Sequence, residues 1–423
     1  MKEFNTISVI GLGYIGLPTA AAFASRRKQV IGVDVNEKAV NTINGGGIHI
    51  VEPELDIAVH STVTAGYLKA TTKPEPADAF LIAVPTPFME DHQPDLSYIE
   101  AAAKSIAPVL EKDNIVILES TSPVGATEKM SAWLKEARPD LTFPQDNGES
   151  SDIRIAHCPE RVLPGHVMHE LISNDRVIGG MTRKCSEYAS ALYKIFVQGE
   201  CIITNARTAE MCKLTENASR DVSIAFANEL SIICDKLDIN VWELISLANR
   251  HPRVNILQPG PGVGGHCIAV DPWFIISQTP EEARLIKTAR DINDYKPDWV
   301  VERVKVAIAD FLAANPSKTA ADIKVACFGL AFKANIDDLR ESPAVNITLE
   351  LAKQLAGSVL AVEPHIRELP PKLENAGIQL AGAGDAIAQA DIMVLLVDHK
   401  LFKDLSITRQ SGKILVDTRG IWQ

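Results

Sequence analysis

Cys267 is the residue whose neighbours best suit it to covalent chemistry. It ends the segment Gly262-Val263-Gly264-Gly265-His266-Cys267, whose glycines leave room for a substrate to approach the thiol. The other six cysteines lie in predicted strands or helices, where a small buried hydrophobic residue is the usual role. A thiol must ionise to act as a nucleophile, which a nearby cation would favour. Catalytic and structural roles are both open for Cys267, and Asp271, four residues on, is also consistent with a helix or turn cap.

Lys213, Asn217 and Arg220 are spaced at i, i+4 and i+7 in a segment, 205–237, that has neither proline nor glycine. Such a segment predicts one long helix, on which the three side chains share a face. One interpretation is a solvated polar face. The other is a face that binds an anionic sugar derivative and orients a water molecule.

The N-terminal strand, residues 7–10, leads into Gly11-Leu12-Gly13-Tyr14-Ile15-Gly16 and a helical stretch. Glycines at this spacing allow a tight turn, close approach to a pyrophosphate and close helix packing, while the helix N-terminus supplies N–H groups. A second strand, residues 29–35, carries Asp34, which is placed to accept from a ribose 2′-hydroxyl and to repel a 2′-phosphate. The pattern predicts a Rossmann-like domain that binds NAD rather than NADP.

Two further predicted strands, residues 79–84 and 115–119, are each followed by a polar loop. The loops are Pro85-Thr86-Pro87 and Ser120-Thr121-Ser122-Pro123-Val124-Gly125. Ligands of open parallel sheets bind beyond the carboxyl ends of the strands, so we expect both loops to border the cofactor. Thr86 and Thr121 are consistent with cofactor contacts and also with ordinary turn chemistry.

The last hundred residues repeat the strand and helix pattern, and DIMVLLV at 391–397 echoes DAFLIAV at 78–84. Here the glycine turn is replaced by Gly329-Leu330-Ala331-Phe332-Lys333, which is poorly suited to hold a pyrophosphate with backbone alone. We expect this copy to bind another ligand through side chains. The predicted fold class is α/β, with two Rossmann-like domains of parallel sheets joined by a long central helix and a helical middle domain. The predicted bounds are 1–204, 205–318 and 319–423.

The composition is that of a globular protein, with 46% hydrophobic and 23% charged residues among 423. A net charge of −12 argues against nucleic acid as a partner, since phosphate attraction needs a basic surface. A set of cations in loop positions nevertheless suggests a phosphate-bearing substrate. Each is also consistent with an ordinary surface charge. The set consists of His251, Arg253, Lys333, Arg340 and Arg419.

The seven cysteines are irregularly spaced and form no CxxC pair, which predicts reduced thiols and no metal site. No apolar stretch approaches the roughly 18 residues that would span a bilayer. The N-terminal residues lack the apolar region of a signal peptide. We therefore expect a cytoplasmic protein without membrane insertion.

Several motifs, in order, resemble the UDP-glucose/GDP-mannose 6-dehydrogenase family over essentially the whole chain. They are GLGYIGLP at 11–18, STSPVG at 120–125, Cys158-Pro159-Glu160-Arg161, the helix face at 213–220, GVGGHC at 262–267, and GLAFK at 329–333 with RESP at 340–343. The resemblance implies oxidation of the C6 alcohol of a sugar nucleotide to a carboxylate, with two NAD used in succession. It also implies a homodimer formed through the central helices. HPRVNILQPGPGVGGHCIAVDPW at 251–273 resembles members that oxidise UDP-N-acetyl-D-mannosamine.

The resemblance further implies a role for each motif residue. Cys267 would form a thiohemiacetal and then a thioester, and Lys213 would be the general acid/base. Asn217 and Asp271 would position a water molecule, and Glu160 would assist thioester hydrolysis or water ordering. NAD would be contacted by Tyr14, Ile15, Asp34, Thr86, Thr127 and Arg340. The UDP sugar would be contacted by Arg161, Val162, Lys213, Asn217, Arg220, His251, Arg253, Gly264, Phe332, Lys333 and Arg419.

Two positions depart from the family pattern, and three alternatives to the leading function are open. Val270 and Glu119 stand where many members have lysine, which puts the transfer of UDP-glucose specificity in doubt. One alternative is a UDP-N-acetylglucosamine, or other UDP-hexose, 6-dehydrogenase. A two-electron hydroxyacid dehydrogenase would have no use for Cys267. A non-catalytic, NAD-binding regulatory protein would have no need to keep the thiol and Lys213.

Overall fold

A computed structural model describes residues 3–89, 92–163, 165–265, 267–355, 357–405 and 413–422. The chain divides into two compact units. Unit 1 runs to Glu216 and includes Trp273–Gln278, and unit 2 contains Asn217–Pro272 and the described residues from Thr279 onward. No helix among the described residues combines the length and apolarity needed to cross a bilayer.

Unit 1 is built on one sheet of eight strands within the described ranges, in the order β3-β2-β1-β4-β5-β6-β7-β8. The neighbouring strands pair in parallel except β6 and β7, which are antiparallel. Apart from that pair, the sheet is the parallel one predicted from the sequence. The strands are β1 (Thr6–Ile10), β2 (Gln29–Val33), β3 (Leu68–Thr71), β4 (Ala79–Ile82), β5 (Ile115–Leu118), β6 (Arg154–His157), β7 (Arg176–Gly180) and β8 (Cys201–Asn205).

Apolar residues on both faces of this sheet are buried, as expected for parallel strands covered by helices. Val9 and Leu81 enter one hydrophobic core, whereas Ile10 and Ile82, their neighbours along the strands, enter another. This alternation explains why the strands read as continuous apolar runs. The helices are α1 (Gly16–Ser25), α2 (Glu37–Asn44), α3 (Leu55–Thr64), α4 (Ser97–Ile106), α5 (Ala126–Ala137), α6 (Pro144–Asn147), α7 (Val167–Ser173) and α8 (Arg183–Tyr193).

Two helices, α9 (Ala206–Lys236) and α11 (Asp271–Gln278), contribute residues to both units. Unit 2 also contains a parallel sheet in the order β11-β10-β9-β12-β13. Buried side chains alternate between its two faces: Val325 and Cys327 enter one core, Ala326 and Phe328 the other. Its elements are α10 (Val241–Ala248), α12 (Arg284–Ala314), β9 (Lys324–Phe328), α13 (Pro343–Gln354), β10 (Ser358–Val362), α14 (Pro371–Glu374), β11 (Gln379–Leu380), α15 (Ala383–Gln389), β12 (Ile392–Leu395), α16 (Lys400–Lys403) and β13 (Ile414–Asp417).

The predicted α/β class with two Rossmann-like sheets is confirmed, and the helix predicted at 205–237 is α9. Helix α12 is as long as α9, at 31 residues, and was not predicted. Pro297 lies inside it, and a proline in that position ordinarily interrupts a helical pattern. The division into three domains stays a prediction.

A buried polar layer joins the unit 2 part of α9 to α12. Arg290 Nη1 donates to Asp221 Oδ1 at 2.6 Å, and Asn228 Nδ2 donates to Asn293 Oδ1 at 2.9 Å. Burial raises the pKa of Asp221, and the paired guanidinium opposes that rise. Buried polar groups need such partners, so the layer fixes how the two helices align.

Lys296 in this layer predicts a specific pH dependence of stability. The residue is 2% exposed, its ammonium lies 3.6 Å from the Trp299 ring centroid, and burial lowers its pKa from 10.5 to about 7. The unfolded chain keeps this proton up to about pH 10.5, whereas the folded chain releases it near pH 7. The folding penalty is therefore full below pH 7 and fades as the pH rises to 10.5.

The free energy of unfolding of the wild type should thus rise with pH relative to that of Lys296→Met, by at most about 1.4 kcal/mol per pH unit. Urea unfolding at several pH values between 7 and 10 measures the difference. Lys287→Met is the matched control, because Lys287 is an exposed residue of the same helix, paired with Asp291. Parallel pH curves for wild type and Lys296→Met would contradict the prediction.

Candidate active site

The loop between β1 and α1 is shaped to receive a pyrophosphate. Gly11 has φ +90°, and a Cβ there would lie 2.6 Å from the Ala83 carbonyl oxygen, while a Cβ on Gly16 would lie 1.7 Å from the Gly11 oxygen. Gly13, in contrast, is exposed and a Cβ there would meet nothing within 4 Å. The close packing of the loop therefore requires glycine at positions 11 and 16, whereas Gly13 leaves space for a ligand. The residue before α1, Ile15, provides no side-chain cap, which leaves the helix N-terminus suited to a phosphate.

Asp34 follows β2 and holds the edge of this loop. Its Oδ2 accepts from the Leu12 N–H at 2.9 Å, and its Oδ1 accepts from the Asn36 N–H at 2.9 Å. The side chain is half-buried, so the carboxylate keeps access to solvent. A ribose hydroxyl could donate to its remaining lone pairs, and the ribose contact predicted for Asp34 stays a prediction.

The loops after β4 and β5 present hydroxyl groups at the same edge of the sheet. The Thr86 hydroxyl is buried and has no hydrogen-bond partner among the described residues. Such a group is available to hydrogen-bond a ligand. Thr121 is half-buried. Thr127 is fully buried, and its hydroxyl donates to Glu210 Oε1 at 2.6 Å. The NAD contacts predicted for Thr86, Thr121 and Thr127 stay predictions.

Glu210 of α9 caps the N-terminal end of α5. Its carboxylate accepts from the N–H groups of Gly125 and Thr127, at 2.7 and 2.8 Å, as well as from the Thr127 hydroxyl. Burial raises the pKa of Glu210, and these hydrogen bonds oppose the rise. A carboxylate at a helix N-terminus also interacts favourably with the helix dipole. The sequence analysis missed this residue, because its partner lies more than 80 residues away.

Glu160 follows β6 in a buried polar cluster. Its Oε2 accepts from Arg176 Nη1 at 2.7 Å, and its Oε1 accepts from the Arg161 N–H at 2.7 Å. Both oxygens of the carboxylate are therefore engaged by donors. The Arg176 side chain is 3% exposed, so this ion pair is shielded from solvent. Arg176 was also missed, since a basic residue inside an apolar strand carries no recognisable motif.

Glu119, one of the two departures from the family pattern, lies in the same cluster. Burial raises its pKa to about 7, and Tyr193 donates to its Oε1 at 2.6 Å. Burial also raises the pKa of the neighbouring Cys158 thiol to about 12. The cluster therefore suits Cys158 to a structural role.

Cys267 is exposed, whereas Cys158, Cys185, Cys234 and Cys327 are buried. Burial raises the pKa of Cys327 to about 12 and also raises the pKa of Cys201, Cys212 and Cys234. A thiolate is disfavoured at Cys201, Cys212, Cys234 and Cys327. Exposure therefore singles out Cys267 as the accessible thiol, in agreement with the sequence.

The structure brings Asn217 and Asp271 together beside the chain turn that begins at Cys267. The Asp271 N–H donates to the Cys267 carbonyl oxygen at 2.8 Å, and Asn217 Nδ2 donates to Asp271 Oδ2 at 2.5 Å. Asn217 and Asp271 are 6% and 3% exposed. Because Asp271 is also the first residue of α11, the amide and the carboxylate are held by two helices.

The glycines before Cys267 let this loop press against the loops of the second sheet. A Cβ on Gly264 would lie 2.4 Å from the Glu341 oxygen and 3.0 Å from Phe332 Cβ. Gly265 has φ +85°, and a Cβ there would meet the Phe332 ring at 3.1 Å. Any larger residue would force the cysteine loop away from Phe332. The packing of this loop thus requires glycine at position 264, and the substrate contact predicted for Gly264 stays a prediction.

A cleft in unit 2 collects three of the residues predicted to bind the sugar nucleotide: Phe332, Lys333 and Arg419. Pro261 and Gly262, at the start of the cysteine loop, line the same cleft. The Arg419 guanidinium donates to Asp398 Oδ1 at 2.6 and 3.0 Å, which fixes its orientation. Burial would raise the pKa of Asp398, but Arg419 and Lys403 lower it to about 2. The cleft has an aromatic ring and cations, which are groups that can bind a nucleoside diphosphate.

The remaining predicted site residues lie in several places. Lys213 is half-buried and Arg220 is exposed, both on α9 as predicted. His251 and Arg253 are exposed in the loop after α10. Arg340 is exposed and pairs with Asp338 at 2.6 Å. Other positions are as follows: Arg161 pairs with Glu216 at 2.7 Å, Val162 is half-buried and Tyr14 is exposed.

Comparison with known proteins identifies the family of the chain. Models of the UDP-glucose/GDP-mannose dehydrogenase family match three consecutive segments of the chain. They are the NAD binding domain at residues 5–197, the central domain at 207–295 and the UDP binding domain at 326–423.

Individual proteins are similar over the full length. A UDP-N-acetyl-D-mannosamine dehydrogenase of Yersinia pestis is 68% identical over 421 residues, covering 100% of both chains. An NDP-N-acetyl-D-galactosaminuronic acid dehydrogenase of Ralstonia solanacearum is 65% identical, covering 99% of this chain and 97% of that one. Among solved structures, a UDP-D-ManNAc dehydrogenase of Pyrococcus horikoshii aligns with a TM-score of 0.87 and 38% identity, covering 99% of this chain and 96% of that one. The chain belongs to the UDP-glucose/GDP-mannose dehydrogenase family, as its motifs predicted, and is an NAD-dependent UDP-sugar dehydrogenase, an oxidoreductase.

Proposed function

We propose that this enzyme oxidises the C6 hydroxyl of UDP-N-acetyl-D-mannosamine to the carboxylate of UDP-N-acetyl-D-mannosaminuronate, with two NAD reduced per sugar. The names of full-length relatives in Yersinia pestis and Escherichia coli support the substrate. A relative nearly as similar has a name that refers to N-acetyl-D-galactosaminuronic acid. The configuration of the 2-acetamido sugar is therefore what the experiment must decide, with UDP-N-acetylglucosamine as the main alternative.

The observation that carries the mechanism is the arrangement around Cys267. The backbone hydrogen bond from Asp271 to Cys267 closes one turn of chain, and Asn217 donates to the carboxylate of the same Asp271. The backbone of Cys267 is thereby linked to an amide and carboxylate pair that could hold a water molecule. A covalent step followed by hydrolysis needs these groups, whereas a simple two-electron alcohol oxidation does not.

In the first oxidation, the proposed role of Lys213 is to accept the proton of the C6 hydroxyl. NAD supplies the hydride acceptor for this step and for the second oxidation. The resulting lysine ammonium then stabilises negative charge on the C6 oxygen when the aldehyde is attacked. Lys213 lies half-buried on α9 one turn before Asn217.

In the second oxidation, the Cys267 thiolate forms a bond to the aldehyde carbon, and the carbonyl oxygen takes a proton to give a thiohemiacetal. Loss of hydride from that carbon and of the hydroxyl proton converts it into a thioester. The covalent bond keeps the aldehyde on the enzyme between the two oxidations.

Hydrolysis completes the reaction. A water molecule oriented by Asn217 and Asp271 attacks the thioester carbon, and the carbon–sulfur bond breaks. One water proton goes to the sulfur to restore the thiol, the other is released to solvent, and the carboxylate product leaves. Glu160 was expected to assist this hydrolysis or to order water. Both roles stay part of the proposal, with the carboxylate held in place by Arg176 and by the Arg161 N–H.

Ligand binding is proposed to be divided between the two units. The glycine loop, Tyr14, Ile15, Asp34 and the threonines would bind NAD, with Arg340 as a further contact. The cleft that contains Phe332, Lys333 and Arg419 would bind the nucleoside diphosphate. We propose as additional sugar-nucleotide contacts Arg161, Val162, Arg220, His251, Arg253 and Gly264.

A homodimer formed through the central helices is part of the proposal. Phe226 and Ile233 of α9 are 51% and 45% exposed, and Leu237, just beyond the helix, is 61% exposed. Their spacing of seven and four residues places them on one stripe of the helix. An exposed apolar stripe of this kind favours association with another protein surface.

The substrate assay should give two NADH per UDP-N-acetyl-D-mannosamine consumed. The purified chain is incubated with NAD and each of the UDP derivatives of N-acetylmannosamine, N-acetylglucosamine, N-acetylgalactosamine and glucose, and NADH is compared with the acid formed. Oxidation of another sugar in preference would overturn the assigned substrate. One NADH per sugar, with an aldehyde as the final product, would overturn the four-electron reaction.

Replacement of Cys267 by serine should abolish acid formation, because a serine hydroxyl is a much poorer nucleophile and leaving group. We expect the steady-state rate to fall by about a thousandfold or more. Cys201→Ser is the matched control, since Cys201 is a half-buried thiol of β8 whose pKa is raised by burial. An unchanged rate in the Cys267 variant would eliminate the thioester mechanism.

A further inference from the structure

A buried hydrogen-bonded pair that follows two strands of the second sheet has no role in the mechanism described so far. Glu363, directly after β10, and His399, after β12, are both buried, with side chains 0% exposed. His399 Nε2 lies 3.0 Å from Glu363 Oε2. A buried carboxylate is costly unless donors satisfy it, so the position of this pair calls for a physical reason.

Glu363 holds the first part of the loop that follows β9. Its Oε2 accepts from the N–H groups of Leu330 and Ala331, at 2.7 and 3.1 Å. Its Oε1 accepts from the His365 N–H at 3.1 Å. Burial would raise the pKa of Glu363, but the hydrogen bonds from His399 and Leu330 lower it, so the carboxylate is ionised.

His399 holds the last part of the same loop. The Asn335 N–H donates to His399 Nδ1 at 2.9 Å, and Asn335 Oδ1 accepts from the Lys400 N–H at 2.9 Å. Asn335 has φ +62°, a left-handed conformation that asparagine adopts more readily than most residues. The loop is thus tied at both ends, and the residues between the ties include Phe332 and Lys333 of the cleft.

The three ligand atoms of Glu363, His365 and His399 lie within 4.8 Å of one another, a spacing that a metal ion could also use. The hydrogen bonds favour a different role. Because Nδ1 of His399 accepts from a backbone N–H, a neutral imidazole carries its proton on Nε2 and donates it to Glu363. Metal binding through Nε2 would remove that proton and leave the carboxylate without its side-chain donor.

We propose that Glu363 and His399 are positioning residues that hold the 330–335 loop in the shape that binds the diphosphate and base of the UDP sugar. The NAD-binding sheet has a simpler version, in which Asp34 accepts from the Leu12 N–H and stays half-exposed. In the second sheet the longer Glu363 is buried and paired with His399, so the acid cannot meet a ribose. Asp34, which we propose contacts the ribose, and Glu363 thus occupy equivalent positions in the two sheets. Glu363 instead supports a loop that binds its ligand through side chains. This inference rests on the proposed function.

Two variants of His399 test the inference in the full-length chain. His399→Leu removes both hydrogen bonds, whereas His399→Gln keeps an amide oxygen for the Asn335 N–H and an amide N–H for Glu363. We expect the Kd for UDP, measured by calorimetry, to rise about tenfold or more in the leucine variant and less in the glutamine variant. The KM for the UDP sugar should rise in parallel, with kcat little changed, and the Kd for NAD should stay that of the wild type.

His365→Gln is the matched control, because the His365 ring is exposed, 4.9 Å from the His399 ring centroid, and its hydrogen bond to Glu363 comes from the backbone N–H, which glutamine keeps. Unchanged UDP binding in this control supports the hydrogen-bonded pair, and a loss equal to that in His399→Leu would favour a metal site instead. Wild-type UDP affinity in both His399 variants would overturn the inference alone. Failure of the wild-type chain to bind UDP would overturn the proposed function and the inference with it. If His399→Leu does not fold, His399→Gln decides alone: a smaller but measurable rise in the Kd for UDP, with the wild-type Kd for NAD, supports the inference, and wild-type UDP affinity overturns it.

Discussion

In both sheets, a carboxylate holds the loop in which a glycine has a positive φ. The glycines are Gly11 and Gly329, and in each case the next residue donates its N–H to the carboxylate. Asp34 accepts from Leu12, and Glu363 accepts from Leu330. This interaction fixes the first strand-to-helix loop at the carboxyl edge of each sheet, where open parallel sheets bind ligands. In the first sheet the fixed loop leaves an open glycine and an uncapped helix end, and in the second it presents the side chains of the cleft.

The cysteine loop depends on this arrangement, because its glycines pack on Phe332 of the fixed loop. Gly262 lines the cleft, and Cys267 follows five residues later, so the short chain between them limits how far the thiol can lie from a bound nucleotide. The hydrogen bonds of Asp271 to the Cys267 carbonyl oxygen and to Asn217 then connect the backbone of Cys267 to α9. One continuous set of contacts within unit 2 therefore links nucleotide recognition to the proposed covalent chemistry.

The sequence predicted the parts of the fold and the site that local patterns encode. Apolar runs and glycine spacing identified β1, α1, Asp34 and the second sheet, and a stretch without proline or glycine identified α9. Helix α12 was missed because Pro297 interrupts the helical pattern of the sequence. In the folded chain, the buried polar layer supports this helix. Residues such as Glu210, Arg176 and His399 were missed because they act through partners distant in sequence, and only the folded chain brings those partners within reach.

The central claim is that the carboxylate forms through a thioester on Cys267. Acid quenching of a single turnover with UDP-N-acetyl-D-mannosamine and excess NAD, followed by digestion and mass spectrometry, tests it most directly. The account predicts a transient sugar-nucleotide acyl adduct on the peptide that contains Cys267, which appears with the second NADH and decays as the acid forms. Full conversion to acid with the adduct absent at every time point, or with the adduct on another cysteine, would contradict the account.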